Sequence, residues 1–250
     1  MEWILPVLPP LACGFVVGFL IYYSGVGGGA LIIPALIVLF GVAPSVAVGT
    51  ASVYAAATKI FAGAGHWRDG NVNIPLCLRF SAFAAPGVLC TAPAVGYFSQ
   101  TGAESFQDIL RYLIAAAIIL SLIAAQFRPP AAAAPRFLPP TAFAVGALMG
   151  ATGVGGGVLI APALLLLSGE TPKRVVGASI VIALALSALT AVIYAGGGQI
   201  NYHLALWMAA GSLLAVAPAA RVLRASSQRT VRRTLHILIV AALLLMLRGE

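Results

Sequence analysis

Two near-identical segments dominate this sequence: Gly25-Val26-Gly27-Gly28-Gly29-Ala30-Leu31-Ile32-Ile33-Pro34 and, 128 residues later, Gly153-Val154-Gly155-Gly156-Gly157-Val158-Leu159-Ile160-Ala161-Pro162. Between positions 25 and 49, 15 of the 25 pairs are identical. The register continues without a gap to Asn73 and Asn201. A register of that length indicates an internal duplication, so we interpret the chain as two copies of one unit.

The composition is that of a membrane protein. Of the 250 residues, 61% are hydrophobic and only 8% are charged, whereas a soluble domain carries roughly 25% charged residues. Long apolar segments occur throughout, which predicts a polytopic protein embedded in a lipid bilayer. The formal net charge of +8 does not indicate a nucleic-acid partner. Most arginines lie in short connections, as the positive-inside rule predicts.

Each copy begins with two short apolar runs, one on either side of the Gly-rich motif. They are 11–23 and 30–40 in the first copy and 139–151 and 158–167 in the second. Each run makes a helix of roughly 20 Å, shorter than the roughly 30 Å hydrocarbon core. Two interpretations follow. Either the runs form a re-entrant hairpin with its Gly-rich tip near the midplane, which we favour, or the first arm begins near Trp3 and crosses fully.

Three longer segments follow in each copy, and all are long enough to span a bilayer. They are about 45–65, 74–98 and 107–127, and then about 173–195, 202–222 and 232–248. Pro86 and Pro93 are predicted to kink the second of these. The predicted fold is therefore an all-α membrane protein of two repeats, 1–127 and 137–250, joined by a linker at 128–136 within one integral membrane domain.

The charge pattern predicts that the two repeats have opposite orientations. Each copy crosses the membrane an odd number of times, so the second copy lies upside down relative to the first. One side then receives most of the basic residues: Arg68, Arg128, Arg136, Lys173, Arg174, Arg221, Arg224, Arg229, Arg232 and Arg233. The side that carries these basic residues is predicted to be cytoplasmic, and both termini are predicted to be periplasmic.

Inverted repeats are a construction used by many secondary transporters, in which a central site opens to either side in turn. Helix N-termini carry partial positive charge and free N–H groups, which attract anions. The triple glycines, Gly27, Gly28 and Gly29 and then Gly155, Gly156 and Gly157, open the second arm of each pair and are candidates for an anion site. Close helix packing at small-xxx-small spacing is the alternative.

Four further side chains are candidates for substrate binding. Thr50, Ser52 and Ser179 follow the duplicated glycines Gly49 and Gly177, and their hydroxyl groups could donate to an oxyanion. Alternatively, they bond a carbonyl one helical turn back. Lys59 lies within an apolar segment, where it could attract an anion or titrate. It could also extend its ammonium group to the membrane interface.

The sequence contains no pattern typical of a soluble enzyme. It has no Gly-x-Ser-x-Gly, no P-loop ending and no His-Glu-x-x-His, so neither catalytic residues nor a cofactor are predicted. Cys13, Cys77 and Cys90 lack metal-ligand spacing, and no metal site is predicted. No acidic residue lies deep in an apolar segment, so carboxylate-based ion coupling is not visible.

The duplicated Gly-x-Gly-Gly-Gly motif with its following proline, together with Gly-Thr-Ala-Ser at 49–52, resembles the sulfite exporter TauE/SafE family of bacterial permeases. The resemblance covers about 11–247. It implies a secondary transporter that exports a small anionic substrate, sulfite or an organosulfonate such as sulfoacetate, across the bacterial inner membrane. The rival functions are an anion channel of other specificity and a non-transporting membrane subunit. A homodimer is plausible.

The resemblance carries over to particular positions. In the first copy they are 27–29, Pro34, Gly49, Thr50 and Ser52, and in the second 155–157, Pro162, Gly177 and Ser179. The second copy departs from the pattern at Ala178 and Ile180, where the first has Thr50 and Ser52. The two halves of any site are therefore expected to be unequal.

Overall fold

The structure is a computed structural model that describes residues 6–24, 28–101, 104–124 and 135–225, and the single positions 240, 243 and 244. All regular structure within these residues is helical, and they contain no strand. The predicted all-α class is therefore confirmed. Gly27, most of the linker (128–134) and the predicted segment 232–248, apart from the three single positions, lie outside the described residues.

Ten α-helices follow one another in the described chain. They are α1 (Leu8–Ser24), α2 (Gly29–Phe40), α3 (Pro44–Arg68), α4 (Ile74–Gln100), α5 (Glu104–Ala124), α6 (Leu138–Thr152), α7 (Gly156–Leu167), α8 (Pro172–Gly196), α9 (Tyr202–Leu214) and α10 (Val216–Ala225). The four short arms α1, α2, α6 and α7 agree with the predicted runs to within a few residues. Each Gly-rich motif lies between the two helices of a pair, as its glycine content predicts.

Three of these helices, α3, α4 and α8, are long and apolar enough to cross a membrane. Helix α4 stays continuous through Pro86 and Pro93. By contrast, the predicted segment 202–222 is divided at Ala215 into α9 and α10. Pro218 favours the division, because it lacks an N–H donor and its ring clashes with the carbonyl four residues earlier, that of Leu214.

The contacts between helices of the two copies occur twice, at residues that are 128 positions apart in the sequence. On α1, Gly18 faces Ser212 of α9 so closely that a Cβ atom would collide with it. The equivalent residue on α6, Gly146, faces Ala84 of α4 in the same way. The pairings α1 with α9 and α6 with α4 are therefore equivalent, and in both a glycine lets the helices approach closely.

Helices α3 and α8 lie side by side, and they run antiparallel because each begins against the residue that follows the end of the other. Gly49, near the start of α3, meets the backbone of Gln199 just after α8. Gly177, near the start of α8, meets the backbone of Asn71 just after α3. We call the end formed by the α3–α4 turn and the start of α8 the basic end. The end formed by the α8–α9 turn and the start of α3 is called the opposite end.

The helix pair α6–α7 begins and ends at the basic end. Helix α6 runs parallel to α4, because the close approach of Gly146 to Ala84 is followed one turn later by that of Gly150 to Val88. Helix α7 returns to the same end, where Asn73 Nδ2 donates to Glu170 Oε1 at 2.5 Å. The Gly-rich motif of the second copy is therefore the turned tip of this pair.

The helix pair α1–α2 has the equivalent position at the opposite end. Helix α1 runs parallel to α9, with Gly14 against Met208 one turn before the Gly18 contact. Helix α2 ends at Phe40, directly before α3 begins. The two tips therefore point toward each other from opposite ends of the molecule.

Candidate anion site at the two glycine-rich turns

The two Gly-rich turns meet in the interior. A Cβ atom on Gly29, the first residue of α2, would lie 2.5 Å from the carbonyl oxygen of Gly153 and 3.2 Å from Cα of Val154. Gly153 ends α6 with φ +67°, and its N–H donates to Met149 O at 2.8 Å. Glycine is required at 29 by the close approach and at 153 by the left-handed backbone.

Both second arms begin without a capping side chain. Gly28 is the N-cap of α2, and its carbonyl accepts the N–H groups of Leu31 and Ile32 at 3.1 and 2.9 Å. Gly155 is the N-cap of α7, and no side chain caps that helix either. The first N–H groups of a helix, before such bonds begin, have no partner within it. The two helix starts therefore offer N–H donors and partial positive charge to an anion.

Close packing also accounts for some of these glycines. A Cβ atom on Gly155 would lie 2.6 Å from Cβ of Met149. One on Gly28 would lie 3.3 Å from both Ile21 Cδ1 and Tyr54 Cε1. The packing alternative therefore holds for Gly155. Gly156 and Gly157 lie in the first turn of α7.

Helix α3 lies beside both turns. Val48 Cγ1 would be 3.4 Å from a Cβ on Gly153, and the Tyr54 ring contacts Gly28. Two of the predicted site residues, Thr50 and Ser52, lie between these contacts on α3. The structure therefore places this segment of α3 against the junction of the two tips.

The three predicted hydroxyl groups have different partners. Thr50 is fully buried, and its Oγ1 accepts the N–H of Asn201 at 2.9 Å. Ser52 Oγ donates to Val48 O at 2.8 Å, and Ser179 Oγ donates to Val176 O at 2.8 Å. These two serines thus make the local bonds that the sequence left as an alternative. To donate to an anion, each serine would have to break this bond and rotate about χ1.

Lys59 lies on α3 five residues after Tyr54. At about 1.5 Å per residue, that places it about 7.5 Å further along the helix axis, toward the basic end. Its side chain is half-buried. It does not lie at the helix end, which is at Arg68.

Two polar residues beside the turns were missed by the sequence reasoning. Tyr54 is buried, and its hydroxyl donates to Ser212 Oγ at 2.9 Å. Thr152 is buried at the end of α6, where it donates to Leu148 O at 2.6 Å and accepts the N–H of Val154 at 3.2 Å. The available signal was that Thr152 and its counterpart Ser24 directly precede the duplicated glycines.

Curated relatives of this chain define its class. It is similar to three proteins of Bacillus subtilis (strain 168). It is 34% identical to the probable membrane transporter protein YjnA over 216 residues, 80% of this chain and 84% of that protein. It is 27% identical to the probable membrane transporter protein YunE, over 96% of this chain and 95% of that protein. It is 24% identical to the probable membrane transporter protein YdhB, over 80% of this chain and 83% of that protein. Together with the apolar helices, these relatives identify a multi-pass membrane transporter.

The family is defined by a match over nearly the whole chain. Residues 11–246 match the family model described as sulfite exporter TauE/SafE. The chain therefore belongs to the TauE/SafE family, as its duplicated motif predicted. This is a family of transporters and not of enzymes. No solved structure matches the chain.

Proposed function

We propose that this protein is a secondary transporter that exports a small sulfur-containing anion, sulfite or an organosulfonate such as sulfoacetate, across the bacterial inner membrane by alternating access. The observation that carries the proposal is the contact between Gly29, the first residue of α2, and the backbone of Gly153, three residues before α7 begins. Such helix starts attract anions without a fully charged side chain. The family description supports a sulfur oxyanion.

In this proposal the two copies are inverted repeats and their helix pairs are re-entrant. The antiparallel arrangement of α3 and α8, which are equivalent helices, supports the inversion. Helix α2 has 12 residues, about 18 Å at about 1.5 Å per residue, which is shorter than the hydrocarbon core. Both arms of each pair also meet the same end of the molecule. The pairs would thus enter from opposite sides and meet at the midplane.

The proposed substrate contacts are divided between the two copies. Backbone N–H groups of 27–29 and 155–157 would bind the oxyanion, and Lys59 would add positive potential. Thr50, Ser52 and Ser179 would contribute hydroxyl groups. The first copy would bind more strongly than the second, because Ala178 replaces a threonine there.

The proposed orientation places the basic end in the cytoplasm and both termini in the periplasm. Four basic residues lie at that end. Arg68 is the last residue of α3, Lys173 and Arg174 lie in the first turn of α8, and Arg136 lies just before α6. The positive-inside rule retains such residues on the cytoplasmic side. A cytoplasmic anion would then approach the site through a region of positive potential.

The proposal can be tested by counterflow of labelled sulfite and sulfoacetate in proteoliposomes. Replacement of both Gly28 and Gly156 by alanine places a methyl group beside each helix start and should lower flux at least roughly tenfold, the effect of losing about 1.4 kcal/mol of substrate interaction. Gly196→Ala is the matched control, because a Cβ there meets nothing within 4 Å. Unchanged flux in the double variant would reject the site. Conductance without counterflow would indicate a channel.

A further inference from the structure

A separate cavity of about 210 Å³ lies at the opposite end of the molecule. It is formed by the last turns of α4 and by the turn that follows α8. Its polar lining residues are Tyr97, Gln100 and Gln199, and Gly96 and Gly197 expose backbone beside them. The Gly-rich turns do not contribute to it, so it is distinct from the proposed anion site.

The side chain of Gln199 is only partly satisfied. Gln199 is 6% exposed, and its Nε2 donates to Gly96 O at 3.3 Å. Its Oε1 is buried and has no hydrogen-bond partner among the described residues. A buried acceptor without a partner costs free energy, so an N–H or O–H donor or a cation is expected at this oxygen when the cavity is filled.

The rest of the cavity is rich in neutral oxygens. Gly96 and Gly197 line it, and their carbonyl oxygens accept hydrogen bonds from Gln199 Nε2 at 3.3 Å and from Gln100 Nε2 at 3.0 Å. Tyr97 adds a phenolic oxygen. None of the residues that line the cavity carries a charge. Such a ligand set lacks the carboxylates that bind divalent cations in proteins.

The electrostatics at this cavity are opposite to those at the Gly-rich turns. Helix α4 ends at Gln100 and α8 ends at Gly196, so two helix C-termini converge here. Helix C-termini carry partial negative charge, whereas the starts of α2 and α7 carry partial positive charge. In secondary transporters, carbonyl groups at helix C-terminal ends are characteristic ligands of Na⁺.

We propose that this cavity binds a monovalent alkali cation, sodium in particular, with Gln199 Oε1 as its central protein ligand. The carbonyl oxygens of Gly96 and Gly197 and the hydroxyl of Tyr97 complete the coordination together with water. The site supplies a means of cation binding that needs no acidic side chain within the membrane.

The test is the thermal unfolding midpoint of the purified protein in NaCl and in choline chloride at equal ionic strength, with no sulfite present. Sodium should raise the midpoint in a saturable manner. Gln199→Leu should abolish the rise. Gln199→Glu, measured at about pH 8 where a carboxylate is charged, should lower the half-saturating sodium concentration by at least roughly tenfold, because a full charge replaces a dipole.

The matched control is Asn71→Leu, since Asn71 is the equivalent position in the first copy. It should keep the sodium response of the unaltered protein. Equal midpoints in sodium and choline would overturn the proposal and indicate a cavity that holds water only, and so would a sodium response that persists in Gln199→Leu. If Gln199→Leu does not fold, the unaltered protein and Gln199→Glu decide the matter. Because sulfite is absent, a negative result here leaves the anion-flux experiment untouched.

Discussion

The two junctions between α3 and α8 are built alike but are bonded differently. At the opposite end Gly49 packs against the backbone of Gln199, and at the basic end Gly177 packs against the backbone of Asn71. The residue that follows Gly49 is Thr50, whose hydroxyl accepts a hydrogen bond from the other copy. The residue that follows Gly177 is an alanine, which has no hydroxyl to offer.

The difference shows how a duplicated fold acquires unequal halves. Duplication gives both junctions the same backbone geometry, and a single change of side chain then strengthens one of them. A buried hydrogen bond contributes about 1 kcal/mol, and a difference of 1.4 kcal/mol changes a population ratio about tenfold. In the proposed transport cycle, the Thr50 bond would favour the state in which the start of α3 stays bonded to the start of α9.

The largest expected effect on stability comes from adding a methyl group to the glycines at the two junctions. Gly49→Ala should destabilise the protein by about 3 kcal/mol, because overpacking of a tight core costs roughly 1–3 kcal/mol. Gly177→Ala should cost less. A Cβ on Gly49 also meets Tyr194 Cβ at 3.0 Å and Ile200 Cγ1 at 3.1 Å, whereas the three atoms nearest to a Cβ on Gly177 all belong to Asn71. Thermal unfolding in detergent measures both, and equal losses would contradict the ranking.

An intermediate effect is expected when the asymmetric hydrogen bond is removed. Thr50→Val keeps the shape but leaves the N–H of Asn201 without the hydroxyl, at a cost of about 2 kcal/mol for a buried unsatisfied donor. Thr50→Ser retains the hydroxyl and should therefore lose much less stability than Thr50→Val. Equal stability of Thr50→Val and Thr50→Ser would show that the bond contributes nothing.

The smallest effect is expected at the two asparagine caps. Asn73 Oδ1 accepts the N–H of Leu76 and Asn201 Oδ1 accepts that of Leu204, both at 3.1 Å. Replacement by alanine should cost about 1 kcal/mol at either position. The loss should be larger at Asn73, which also donates to Glu170. The Glu170→Ala background should remove that excess. Persistence of the excess there would assign it to another contact.

Much of the fold could be predicted because hydrophobic length and glycine placement are local properties. The short arms were predicted correctly because a run of apolar residues bounded by glycines cannot continue as one helix without cost. The division of α9 from α10 was not predicted. Pro218 stands in a position comparable to Pro86 and Pro93, yet α4 continues through both of its prolines. Packing against neighbouring helices decides whether a proline bends or ends a helix.

The site was predictable in its residue types but not in its bonding. The duplicated glycines identified the two turns, but nothing local indicated that Gly29 would meet Gly153. The sequence suggested three hydroxyl groups that either donate to an anion or bond a carbonyl of their own helix. The structure shows two serines bonded to their own helix and Thr50 bonded to the other copy. Hydroxyl partners are set by which backbone groups lie nearby, and this depends on the packing of distant segments.

The sequence by itself determined the membrane class, the duplication, the interrupted helix pairs and the family, because composition, register and motif are read along the chain. The tertiary structure alone decided that the two tips meet and that α3 and α8 lie side by side. It also decided that Gln199 retains a buried acceptor without a partner. These features depend on contacts between residues more than 100 positions apart. Such contacts are fixed by the packing of whole helices and not by local preference.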